Sequence, residues 1–98
     1  MDVNDRPKVE RPHLQIQIDD DVAQGAYVNM ATVTHSPTEF VFDFIFVQPQ
    51  QPRAKVRSRI ITSPQHAKRF LLAMQENLRR YEERFGTIPL GGDIESVH

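Results

Sequence analysis

Phe40-Val-Phe-Asp-Phe-Ile-Phe-Val47 places a phenylalanine at every second position. A period of two is the strand period, and aromatic and β-branched side chains suit a pleated surface. The stretch therefore predicts a strand with two unlike faces. Phe40, Phe42, Phe44 and Phe46 share one face, and Val41, Asp43, Ile45 and Val47 share the other. Burying a phenylalanine is worth roughly 1.5–3 kcal/mol, so the four contribute on the order of 6–12 kcal/mol. A small domain is stable by only about 5–15 kcal/mol in total. Something apolar must cover that face.

The cover lies downstream. Ser63 is a good N-cap and Pro64 suits the first helical position, where its missing N–H costs nothing. Ala67, Phe70, Leu71, Met74, Leu78, Tyr81 and Phe85 then recur at spacings of three or four and form one apolar stripe. Glu76 stands four residues before Arg80, and Arg79 four before Glu83, the spacing of helical ion pairs. Gly86 ends the helix. At 1.5 Å per residue this helix is about 33 Å long, whereas an eight-residue strand reaches about 27 Å. The far end of the helix, with Tyr81 and Phe85, overhangs the sheet and needs another surface.

Upstream, Leu14-Gln-Ile-Gln-Ile18 alternates and reads as a first strand. Asp19-Asp-Asp21 to Gly25 suits one helical turn, with aspartates at its start and glycine at its stop. Tyr27 to His35 reads as a second strand, with Ser36-Pro-Thr-Glu39 as the turn after it. Which of its faces meets the phenylalanines stays open: Ala31 and Val33, or Val28 and Met30. Gln48-Pro-Gln-Gln-Pro52 is a loop, because two prolines cannot continue a ladder. Ala54 to Thr62 is the fourth strand. With that loop, residues whose numbers add to about 100 face each other. Phe44 then meets Val56, and Asp43 meets Arg57. Lys55, Arg57 and Arg59 fall on one face. The expected fold is α+β: a four-stranded antiparallel β-meander over residues 13–86, followed by one long C-terminal amphipathic helix packed on one sheet face. Residues 1–12 and 87–98 read as tails.

One helix cannot cover both sides of a sheet. Val41, Ile45 and Val47 on the second face, together with Tyr81 and Phe85, are therefore candidate contacts of a homodimer.

Composition narrows the function. Hydrophobic residues make up 39% and charged residues 26%, the balance of a folded soluble domain. No apolar run is long enough to span a bilayer, and the first twelve residues lack the apolar stretch of a secretory signal, so a cytoplasmic protein is expected. With no cysteine there is no disulfide, thiolate nucleophile or cysteine-ligated metal. His13, His35, His66 and His98 have no metal-site spacing, and no loop with a later bidentate glutamate follows the three aspartates. No convergent acid, base and nucleophile can be named, so neither catalytic residues nor a cofactor are expected. The charge is uneven, however. Between Arg53 and Arg80 the chain carries eight lysines and arginines against the single acid Glu76. Lys55, Arg57 and Arg59, with Lys68 and Arg69 in support, are candidate contacts to a phosphate backbone or a protein partner.

Three segments carry a family resemblance: Gly25-Ala-Tyr-Val-Asn-Met30, Thr34-His-Ser-Pro-Thr-Glu-Phe-Val-Phe-Asp-Phe44, and Ala54-Lys-Val-Arg-Ser-Arg-Ile-Ile-Thr-Ser-Pro-Gln-His-Ala-Lys-Arg69. They are similar to the signature of a bacterial family of short proteins, the domain of unknown function three-four-six-seven. The likeness covers most of Leu14 to Gly86. The family has no established activity, so the resemblance implies domain limits and no catalytic residues. The order of four strands then a helix also resembles Whirly and Pur-alpha nucleic-acid binders, at the level of the fold alone. The expected function is a small cytoplasmic non-enzymatic interaction module acting as a homodimer. The alternative is a nucleic-acid-binding protein using the basic strand and the start of the helix.

Overall fold

The computed structural model describes residues 14–91. Three strands, β1 (Met30–His35), β2 (Phe40–Val47) and β3 (Ala54–Thr62), make one antiparallel sheet in the order β1-β2-β3. A single helical turn, α1 (Asp20–Ala23), precedes it, and the long helix α2 (Pro64–Phe85) follows. The α+β class, the meander order and the C-terminal helix are as expected. The sheet has three strands, not four.

Leu14–Ile18 is the missing strand. Asn29 donates its backbone N–H to the carbonyl of Ile45 at 3.0 Å. Its side chain then bonds both backbone groups of Val47: Nδ2 donates to the carbonyl at 3.0 Å, and Oδ1 accepts from the N–H at 2.8 Å. The side chain thus replaces the next ladder rung, and the backbone leaves the sheet at this point. Tyr27 rests its ring edge-on against Phe46, with centroids 6.3 Å apart. Both contacts hold the chain just before β1 against β2, and Leu14–Ile18 pairs with no described strand. α1 buries no side chain, and Ile16 is 85% exposed.

The turn between β1 and β2 is built by Ser36. Its hydroxyl accepts from the N–H groups of Thr38 and Glu39, and its N–H donates to the Glu39 carbonyl at 2.9 Å. This fixes the register that the sequence left open. Ala31 lies opposite Phe44 and Val33 opposite Phe42, so both join the phenylalanine face.

The register of β3 departs from expectation. Phe40 meets Thr62, Phe42 meets Ile60, Asp43 meets Arg59 and Phe44 meets Ser58. Beyond that point Ile45 meets Val56, Phe46 meets Lys55 and Val47 meets Ala54. Arg57 has no partner and forms a β-bulge. The extra residue exchanges the two faces of β3. Ser58, Ile60 and Thr62 share the phenylalanine side, whereas Val56 has moved to the Ile45 side. The expected pairs Phe44–Val56 and Asp43–Arg57 do not form.

Ser63 caps α2 by accepting the His66 N–H at 3.2 Å, Pro64 occupies its first turn, and Gly86 ends it with a φ of 96°. The Phe70 ring comes within 5.8 Å of Phe42. The long helix nevertheless does not lie flat on the sheet. The Cα radius of gyration is 18.3 Å, against about 13 Å for a compact chain of this length. Only Ile45 and Ala67, each 8% exposed, are buried apolar residues among those described. Ile45 lies in the ladder between Met30 and Val56, on the face away from α2. Truncation of Ile45 to alanine should cost about 2–5 kcal/mol of stability in urea unfolding. Val33→Ala, at the exposed edge, should cost clearly less.

Candidate interaction surface

Two apolar surfaces face each other across an open wedge. One is the phenylalanine side of the sheet, with the stacked rings of Phe42 and Phe44 6.4 Å apart and Val33 beside them. The other is the first half of α2, from Ala67 through Phe70 and Leu71 to Met74. Phe44 lies within reach of Leu71 and Met74, as its central position suggests, but it is only half-buried. Phe70, Leu71, Met74, Leu78, Tyr81 and Phe85 all stay exposed, and Phe85 keeps 65% of its surface. At about half exposure each, these six side chains leave on the order of 500 Å² of apolar surface on the helix alone, as large as the largest patch of a typical monomer, which is often functional.

The far end of the helix continues the stripe. Tyr81 and Phe85 contact each other at 4.9 Å, and Arg84 lies over the Phe85 ring at 5.4 Å. Ile88 joins them in one shallow recess, and its N–H donates to the Glu82 carboxylate at 2.9 Å. Residues just after Gly86 therefore extend the apolar surface rather than simply trailing from it. The other residues assigned to the two tails lie mostly outside the described part of the chain.

Of the five expected dimer contacts, Tyr81 and Phe85 are exposed as required. Ile45 is not, because the bulge has brought Val56 beside it and its surface is already covered within the chain. Val41 and Val47 are half-buried. The second sheet face is thus a smaller apolar patch than the strand pattern implied.

The basic residues are also redistributed. Lys55 lies on the phenylalanine side opposite Phe46, and Arg57 lines the same shallow recess together with Arg53. Arg59 points to the other face, so the three do not form a single row. Its guanidinium makes a two-pronged bond to Asp43, Nε to Oδ1 at 2.7 Å and Nη2 to Oδ2 at 2.9 Å. That hydrogen-bonded pair holds the Asp43 carboxyl below its usual range, with burial opposing the shift. Asp43 is thus satisfied by Arg59, a structural role rather than that of a free base. Lys68 and Arg69 stand exposed on the second turn of α2.

On the outer side of α2, Glu76 accepts from Arg79 at 2.7 Å and from Arg80 at 3.0 Å, and Arg79 reaches Glu83 at 2.7 Å. Hydrogen bonds from Arg79 and Arg80 hold the Glu76 carboxyl at about 2. No group of three or more potential metal ligands occurs among the described residues, and no helix there is long and apolar enough to cross a membrane.

A short antiparallel sheet and a long helix with an open apolar stripe define a small α+β domain. The chain belongs to the family described as Protein of unknown function (DUF3467), whose model matches residues 1–90. That match reaches past the motif-bearing segments to residues 1–12 and 87–90. No curated protein and no solved structure matches the chain.

Two substitutions test the register. Arg59→Leu strips a half-buried carboxylate of its partner and should lower the melting temperature more than Arg57→Leu, which removes only the unpaired bulge residue. A second test uses pH. A carboxyl whose folded value is depressed stabilises the fold above its unfolded value, near 4.5, and loses that contribution as pH falls toward about 2. Helicity followed by circular dichroism should therefore fall within that window, and Glu76→Gln should flatten this part of the curve.

Proposed function

We propose that the chain is a non-enzymatic interaction module that works as a homodimer, with α2 of each copy closing the wedge of the other. The observation that carries this reading is the exposed stripe of α2 opposite a phenylalanine face that is only half-buried. A reciprocal arrangement about a two-fold axis uses the same pair of surfaces twice, the commonest symmetry of soluble oligomers. It supplies the burial that a single copy lacks and gives the overhanging Tyr81 and Phe85 a partner. A net charge near −1 leaves little repulsion between copies. Light scattering at micromolar concentration should report twice the mass of one chain. Leu71→Glu with Leu78→Glu, two charges on the apolar stripe, should convert it to a less stable monomer. A wild-type protein that scatters as a monomer overturns the reading.

A second reading has one observation in its favour: Arg53, Lys55 and Arg57 surround Phe46, with the exposed Tyr27 ring against it. Cationic and aromatic groups side by side are what single-stranded nucleic acid binds. Lys55→Gln with Arg57→Gln should then abolish binding to a fluorescent oligonucleotide at low salt, and wild-type binding should weaken steeply as salt rises. Absence of binding at low salt removes this reading.

A further inference from the structure

We infer that Leu14–Ile18 of one copy adds as a fourth strand to the outer edge of β1 in the other copy. The inference rests on the homodimer proposed above and names a contact that the helix stripe does not require. Three observations carry it.

The first is the segment itself. Leu14, Ile16 and Ile18 alternate with glutamines, which is a strand pattern with one apolar face, yet the three stand 72%, 85% and 64% exposed. Five residues that could extend a sheet lie outside it. The second is the edge. β3 carries Lys55, Arg57 and Arg59 and a bulge, the devices by which sheets discourage further pairing. β1 has the sequence Met-Ala-Thr-Val-Thr-His, with no lysine, arginine, acid or proline and no register shift against β2. Its outer backbone groups are an open template for one more strand. The third is the route. The Asn29 clamp on Val47 and the seat of Tyr27 on Phe46 carry the preceding chain toward the end of β2. Within one copy Leu14–Ile18 stays off the free edge of β1. A second copy meets the same edge without breaking either contact.

The faces agree with this assignment. Ala31, Val33 and His35 lie on the phenylalanine side of β1. An added strand with Leu14, Ile16 and Ile18 on that side widens the apolar face by three aliphatic side chains. Gln15 and Gln17 then face the other way, beside Thr32 and Thr34.

The chain has no cysteine, so single cysteines report the pairing cleanly. Ile16→Cys chains would be refolded together with chains carrying one cysteine at Ala31, Val33, His35, Thr32 or Thr34, then mildly oxidised and weighed by mass spectrometry. A disulfide needs its two Cβ atoms on one face, so the best of positions 31, 33 and 35 should give roughly tenfold more mixed disulfide than positions 32 and 34. The same proteins without oxidation would go to light scattering. A dimer with no mixed disulfide at any position overturns the strand addition and leaves the helix-mediated dimer standing. A disulfide closed within one chain of the double variant Ile16→Cys/Val33→Cys also overturns it, by placing the strand on its own sheet. A monomer in solution overturns both readings together.

Discussion

Arg57 has no partner across the sheet, and the phase of β3 turns on that one extra residue. Without it, Ile45–Val56 and Asp43–Arg59 could not both form. A continuous ladder from Val56 would set Asp43 against Ser58, and one from Arg59 would set Ile45 against Arg57. With it, Val56 covers Ile45, and the only buried aliphatic side chain of the sheet acquires its neighbour. The same shift carries Arg59 to Asp43, where two hydrogen bonds satisfy a carboxylate standing in an otherwise apolar strand. A buried or half-buried acid without such a partner would oppose the strand it sits in. The bulge, the ion pair and the buried isoleucine are therefore one feature seen at three positions.

A consequence on the opposite side is that β3 contributes little apolar cover to the phenylalanines. Ser58 and Thr62 lie opposite Phe44 and Phe40, and only Ile60 is large and apolar. The phenylalanine face depends all the more on α2, which touches it through Phe70 and then leaves the rest of its stripe in solvent. Apolar burial near 25 cal/mol per Å² is the main term that offsets chain entropy. With only Ile45 and Ala67 buried among the described apolar residues, each still 8% exposed, one copy has too little of it. The proposed second copy therefore belongs to the folding of the domain as well as to its use.

Local signals were read correctly from the sequence. Ser63, Pro64 and Gly86 bound the helix because capping and φ preference act within a few residues, and the Ser36 turn follows from the same short-range chemistry. The alternating phenylalanines gave β2 its limits. What failed was long-range. The loop closes on Arg53 rather than Pro52, which puts Ala54–Val56 one step out, and the bulge, which has no dependable mark in the sequence, puts the rest of β3 two steps out. With the register went the single basic row and the exposed Ile45. The strand at Leu14–Ile18 failed differently, because its pattern is sound but pairing depends on a long-range edge that the segment does not join within one copy. Asn29 itself was a missed signal: an amide able to stand in for a backbone rung, placed just before the strand Met30–His35 with its β-branched Thr32-Val-Thr34.

Leu14–Ile18 and the α2 stripe share a physical condition despite their separation in the chain. Each has the periodicity of an element built to bury one face, a period of two in the first and of 3.6 in the second, and each leaves that face in water. Each also has an uncovered counterpart of matching type: a plain strand edge for the strand, and a flat aromatic face for the helix. Within one copy, Leu14–Ile18 does not pair with that edge, and the splay of α2 leaves the second pairing incomplete. Two copies related by a two-fold axis supply both counterparts at once, since every surface is present twice and in reciprocal positions. The strand would widen the same phenylalanine face that the partner's helix must cover, so the two contacts reinforce each other instead of competing for one surface.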